Sequence, residues 1–188
     1  STLSSSSAAS DVYKRQFRSR VLGDDSGAGT TGVDEKYAHA YFEGIGAEIM
    51  GAGMFGLHQF PDDRQWRGWW GDEPPFEVPV FVLTHTARDS IEFANGTVFH
   101  FVAGSPEEVL PRALDAANGG DVRIGGGIDV VRQFLGAGLV DRVHLAVNPL
   151  VLGRGERIWD GLRGIENGYD VESEVAESGV THLTFRRG

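Results

Sequence analysis

Three consecutive glycines, Gly125-Gly126-Gly127, stand between DVRI, which reads as a strand, and IDVVRQFL, which reads as a helix. A strand that ends in glycines and feeds a helix leaves backbone N–H groups at the positive end of the helix dipole, a place that suits a phosphate. Glycine also lets a ligand come close, because no Cβ stands in the way. Three in a row exceed what a tight turn needs, which favours a ligand over a bare turn, but the motif names no particular cofactor. A second set, Gly51-Ala52-Gly53-Met54-Phe55-Gly56, satisfies G-x-G-x-x-G after a short strand. A dinucleotide fingerprint of that form must open the helix of a βαβ unit. Here Gln59-Phe60-Pro61-Asp62-Asp63 interrupts within a few residues, so the set reads as a second glycine turn beside a phosphate.

Thr84-His85-Thr86-Ala87-Arg88 follows the apolar run PVFVL. Ligands of open α/β sheets bind outside the carboxyl ends of strands, where a hydroxyl, an imidazole and a guanidinium could hold ribose hydroxyls or a phosphate. The same residues equally fit a solvated loop whose Arg88 pairs with Asp89 or another neighbour. The six histidines show no metal-ligand spacing, and His100 and His144 alternate with apolar residues in strands, which suits structural or surface roles. Trp66, Trp69 and Trp70 could stack on a ring substrate, but tryptophans in a long loop more often pack it onto the core. Asp24, Asp25, Asp62 and Asp63 read as solvated loop charge, and Ser26 is not in a nucleophile elbow.

The elements that must position these residues follow from periodicity and punctuation. A helix is expected over about Val33–Glu43, with Asp34 and Glu35 in its first turn and Gly44 and Gly46 ending it. Strands are expected at Ala47–Met50, Pro79–Thr84, Thr97–Val102, Asp121–Ile124 and Arg142–Val147, with Leu57–Val78 as a long connection. Ser105-Pro106-Glu107-Glu108 is a helix start with Ser at the N-cap, Pro at N1 and Glu at N3, and that helix ends at Asn118-Gly119-Gly120. A further helix spans about Ile128–Leu135. A hairpin closes the chain, Tyr169–Ala176 and Val180–Arg186 around Glu177-Ser178-Gly179. Strands alternating with helices argue an α/β layered domain with a largely parallel sheet.

Length and composition bound the rest. The chain has 188 residues, enough for one domain, and its 17 basic against 27 acidic side chains leave a net charge of −10. That balance argues against a nucleic-acid partner. No apolar run approaches the ~20 residues that span a bilayer. With no cysteine there is no disulfide, thiolate metal site or Cys nucleophile. Residues 1–16 (STLSSSSAASDVYKRQ) lack the apolar core of a signal peptide and resemble a translated sequencing-adapter artefact. The expectation is a non-native or disordered tail over 1–16 and one domain over 17–188, with native sequence entering near Phe17.

The segments AEIMGAGMFG, PPFEVPVFVLTHTAR and DVRIGGGIDVVRQFLGAGLVDRVHLAVNPLVLGRGERIWDGL, in this order, resemble the dihydrofolate reductase-like family, specifically its RibD C-terminal domain branch. The last is the most specific, with its glycine triplet and helix, a GLVD bridge, a strand ending in Asn148-Pro149 and a Gly-x-Gly loop. The resemblance implies a three-layer α/β/α sandwich with a mostly parallel mixed sheet and a C-terminal antiparallel hairpin. It implies a cytoplasmic NADPH-dependent reductase of riboflavin biosynthesis or dihydrofolate reductase type, passing hydride to a pteridine- or pyrimidine-type small molecule. By the same resemblance Gly125, Gly126 and Gly127 hold the pyrophosphate, Gly51 and Gly53 form the neighbouring turn, and Thr84, His85 and Arg88 line the adenosine end. The family makes a homodimer plausible. Two departures stand out. The family's first glycine is usually followed by an Arg that meets cofactor phosphate, where this chain has Ala52; Arg88 is the candidate substitute. The family's opening strand and S-L-D-G-like loop, which flank nicotinamide and substrate, are not found, so no catalytic residue is assigned. A non-catalytic nucleotide-binding or oligomer-forming module is the alternative; a Rossmann dehydrogenase would need a helix after Gly56.

Overall fold

The parallel core expected from the apolar runs is present in a computed structural model of the chain, which describes residues 32–41 and 43–188. The expected tail over 1–16, the chain entry at Phe17, the Asp24-Asp25-Ser26 segment and Phe42 lie outside the described residues. The described chain divides into two units. One comprises residues 44–139 and 157–162; the other takes the described part of 32–43 with 140–156 and 163–188.

The second unit contributes the first element, α1 (Val33–Ala40). The first unit then supplies β1 (Ile45–Gly51), α2 (Ala52–Phe55), β2 (Pro79–Leu83), β3 (Ile91–Glu92), β4 (Val98–Val102), α3 (Pro106–Ala116), β5 (Asp121–Gly126) and α4 (Ile128–Gly136). Its five strands lie in the order β3-β4-β2-β1-β5. β1 is parallel to β2 and β5, and β2 to β4, while β3 is an antiparallel edge. The run PVFVL is buried in its middle, as a strand covered on both faces must be. Glu108 Oε2 accepts the Ser105 amide at 2.8 Å in the expected capping box, which fixes where α3 starts. Gly46 lies against Ala117, just past α3, and Gly51 lies against Val130 of α4, so helices pack on both faces of β1. This is the helix–sheet–helix layering expected from sequence.

Several details differ. α1 ends at Ala40 rather than near Glu43, and Gly46 lies inside β1 instead of ending that helix. β5 continues through Gly125 and Gly126, because ladder pairing uses backbone groups and needs no side chain. α2 is one turn of helix, closed by Gly56 at φ 103°, so the chain does not enter the long helix a dinucleotide fingerprint requires. β3 has two residues, too short to leave a periodic signal.

The second unit carries β6 (Arg142–Val147), a 3₁₀ turn (Ile165–Gly168), β7 (Tyr169–Val175) and β8 (Thr181–Arg187), in the order β6-β8-β7 and all antiparallel. The expected hairpin is there, closed by the Ala176 amide on the Val180 carbonyl at 2.8 Å. It takes β6 as a third strand rather than edging the parallel sheet. Val143 and Leu145 lie directly opposite Phe185 and Leu183, an apolar match over the middle of β6.

Candidate functional site

Parallel strands in register end together. Gly51 pairs with Leu83, Leu83 with Val102, and Met50 with Gly126, so the carboxyl ends of β1, β2, β4 and β5 share one edge of the sheet. From β1 the chain winds to β2 and β4 on one side and then returns to β5 on the other. The direction of winding therefore reverses between β1 and β5, where open α/β sheets form their ligand crevice. Gly51 lies on one side of that reversal and Gly126-Gly127 on the other.

The two glycine sets meet there. A Cβ on Gly127 would stand 3.4 Å from the Gly51 Cα, and one on Gly51 would stand 3.1 Å from Val130 Cγ2. Gly126 and Gly127 have φ of 146° and 82°, conformations that other residues rarely adopt. Gly53 lies against His58, and Gly125 against the Glu48 carboxylate. Close packing thus accounts for much of the glycine run. Its further result is a bare helix start: Gly127 is the N-cap of α4 and supplies no side-chain cap. The Val131 amide makes the first helical bond, to the Gly127 carbonyl at 3.1 Å, so the amides of Ile128, Asp129 and Val130 are the orphan donors of the first turn. Asp129 is 82% exposed there, with Arg132 Nη1 at 3.4 Å.

Thr84 extends from β2 at the same edge, its amide on the Val102 carbonyl at 2.9 Å and its hydroxyl accepting the Thr86 amide at 3.1 Å. His85 is exposed. Arg88 is held by the long loop. Its guanidinium donates to the carbonyls of Arg64 and Trp66 and lies 5.3 Å from the Phe101 ring centre. Burial, with the Arg64 cation nearby, holds its pKa below the usual arginine value. Neither sequence alternative described it, because carbonyl partners 22 and 24 residues away leave no local signal. The tryptophans pack the loop: Trp66 stacks on Phe60 at 4.1 Å and donates to the Phe55 carbonyl at 2.8 Å.

Sequence reasoning passed over Glu48 and Arg123. They lie directly opposite each other on β1 and β5 and form an ion pair, with Glu48 fully buried and Arg123 only 12% exposed. Glu48 Oε1 is buried with no hydrogen-bond partner among the described residues. Burial raises the Glu48 pKa above the usual carboxylate value, with Arg123 pulling the other way. The signal was one charge in the apolar run AEIM and another in DVRI, but only the register pairs them. His100 is a strand residue as expected, half-buried and hydrogen-bonded to Ser90 at 3.0 Å. Among the described residues no His/Asp/Glu cluster could hold a metal, and no helix is long and apolar enough to cross a membrane.

The RibD C-terminal domain family model matches residues 18–181. YyaP, an uncharacterized protein of Bacillus subtilis, is 30% identical over 120 residues, which make up 61% of this chain. The chain spans about three fifths (62%) of the length of that curated relative. Among solved structures, a candidate riboflavin biosynthesis protein from Shewanella sp. PV-4 superposes with a TM-score of 0.58 at 23% identity, covering 84% of this chain and 82% of its own. A pyrimidine reductase-like protein from Corynebacterium diphtheriae does so with a TM-score of 0.51 at 17% identity, covering 89% and 85%. At these identities the likeness shows the fold.

Proposed function

Because the chain belongs to the RibD C-terminal domain family, we propose that it is the reductase part of riboflavin synthesis, binding NADPH and presenting it to a pyrimidine- or pteridine-type ring. The observation that carries this reading is the meeting of Gly51 with Gly126-Gly127 at the winding reversal, beside the uncapped start of α4. The pyrimidine reductase-like name of one structural neighbour suggests the substrate class. When bound, NADPH supplies the hydride, and the protein supplies binding and orientation.

The donor set fits a pyrophosphate. Orphan amides at a helix N-terminus are anion donors, and the glycines keep side chains out of the way. In this reading the amides of residues 128–130 hold the pyrophosphate, Gly51, Gly53 and Gly125 shape the wall, and Thr84 and His85 line the adenosine end. The 2′-phosphate is less well served. Ala52 stands in place of the family's Arg, while Arg88 is engaged by loop carbonyls and Arg123 by Glu48. A bidentate charge-assisted contact at about 1.5–3 kcal/mol would favour NADPH over NADH by roughly 10- to 150-fold. Here the preference is expected to be smaller than that.

Calorimetric titration with each nucleotide tests both points, followed by turnover assays with aminopyrimidine and dihydropterin substrates. No heat from either nucleotide at millimolar concentration would sink the reading, and a preference above a hundredfold would show that another cation reaches the 2′-phosphate. The Asp129 carboxylate, in the first turn of α4, opposes an anion at that helix start. Asp129→Asn is therefore expected to tighten dinucleotide binding by about two- to fivefold. Unchanged or weaker binding would place the anion away from α4.

A further inference from the structure

Helix α1 has eight residues, too few to persist alone, and buries only Asp34 and Ala38. Its hold on the β6-β8-β7 sheet is largely polar and aromatic. Asp34 Oδ1 accepts from His182 Nε2 at 2.8 Å, and His182 Nδ1 faces His144 Nε2 at 2.9 Å. The two imidazoles are coplanar to within 3°, and Tyr37 lies flat over both, with ring centres 4.4 Å from His144 and 4.2 Å from His182. Asp34 and His182 are fully buried, and Asp34 Oδ2 has no hydrogen-bond partner among the described residues. We propose that the chain Asp34–His182–His144 is an acid-sensitive latch that holds α1 on this sheet and releases it when His144 becomes a cation.

The proton arithmetic follows from the ring nitrogens. With Asp34 ionised and both rings neutral, His182 donates from Nε2 to Asp34 and His144 donates from Nε2 to His182 Nδ1. One added proton enters at His144 Nδ1, while the His144 Nε2 proton passes to His182 Nδ1. Both hydrogen bonds survive, with donor and acceptor exchanged between the rings. A second added proton puts N–H groups on both facing nitrogens, and the bond between the rings is lost.

The surrounding charges offset this only in part. On the same sheet face β6 brings Arg142, β8 brings Arg186, and β7 brings Asp170, Glu172 and Glu174. Glu174 is already bonded to Lys36 of α1 at 2.6 Å, and Glu35 and His39 pair with each other on α1 at 3.7 Å. Burial, then the neighbouring His182 and Arg142, push His144 down to about 4. Release of α1 exposes the ring and moves its value back towards the ordinary 6.5. Opening therefore takes up a proton as pH falls from 6.5 towards 4, and the opening equilibrium shifts by up to about tenfold per pH unit over that window.

The absence of cysteine makes the test direct. In full-length Ala38→Cys the single thiol is expected to react slowly with a dithiodipyridine at pH 7. Relative to a free thiol, its rate should rise more than about tenfold by pH 4. All four tryptophans lie in the other unit, so their emission reports that unit while the thiol reports α1. Adding His144→Gln should remove the rise, since the amide can donate to His182 but takes no proton. A rise that survives His144→Gln, no rise at all, or a change in tryptophan emission in step with it would overturn the latch. If that variant does not fold, nitrogen NMR of the histidines in the unsubstituted chain decides: His144 staying neutral to near pH 4 supports the latch, and its titration near 6.5 overturns it.

Discussion

Glu48→Ala is expected to lower stability by about 3–5 kcal/mol, because it leaves the Arg123 cation poorly exposed and without its carboxylate. Arg123→Met should be comparably harmful, since it leaves the fully buried Glu48 uncompensated. The double replacement Glu48→Leu/Arg123→Met should recover most of the loss, or more, because taking two charges out of water offsets much of their attraction. Urea unfolding followed by tryptophan emission reads all three variants, as the tryptophans and the ion pair lie in the same unit. A loss below about 1 kcal/mol in both single variants would mean that the pair is solvated, as surface pairs are. The direction of the Glu48 shift adds a pH signature. Its raised folded pKa means that its contribution is fully present below the ordinary 4.5 and is lost as pH rises through the folded value. The double variant should lack that slope.

Gly127→Val is expected to weaken dinucleotide binding by roughly a hundredfold or more, the loss of two charge-assisted bonds at about 1.5–3 kcal/mol each. The reason is local. Gly127 has φ 82° and its Cα faces Gly51 across the winding reversal, so a branched side chain must push β5 and the start of α4 away from β1. Gly161 provides a matched control, with φ 81° and nothing within 4 Å of an added Cβ. Gly161→Val carries the same kind of backbone strain, about 1–2 kcal/mol of stability, and should leave binding intact. Calorimetric titration of both variants separates strain from site. Equal binding by Gly127→Val and the unsubstituted chain would remove this junction from the nucleotide site.

Much of the scaffold was legible because it is local. Ser105, Pro106 and Glu108 announce a helix start within four residues, and PVFVL announces a buried strand by itself. The strand boundaries at Arg142 and Val147 follow from apolar periodicity alone. What was not legible is what depends on partners far along the chain. The extension of β5 into its glycines needed Met50 as a pairing partner. Arg88 offered no hint of loop carbonyls, and the charges of Glu48 and Arg123 are 75 residues apart. His144, expected to be structural, does pack within a sheet. That it joins a chain ending at Asp34 depends on a contact spanning 148 residues from Asp34 to His182. At the glycine junction, the residue types suggested a phosphate, and the topology adds that both sets border one reversal of winding.

The division into two units also bears on how the polypeptide could be rearranged. The chain passes from one unit to the other after residues 43, 139, 156 and 162, four crossings in all. The hexapeptide 157–162 is tied into the first unit, with Arg132 Nε donating to the Arg157 carbonyl at 3.1 Å and Leu162 lying against Gly136. Neither unit is a continuous cassette, so no single cut in the polypeptide releases either one whole. Recombination that moves the parallel sheet into another protein must carry this hexapeptide with it or replace what it covers. Exchange of this fold between genes is therefore expected to proceed as one block, with variation confined to loops such as 57–78.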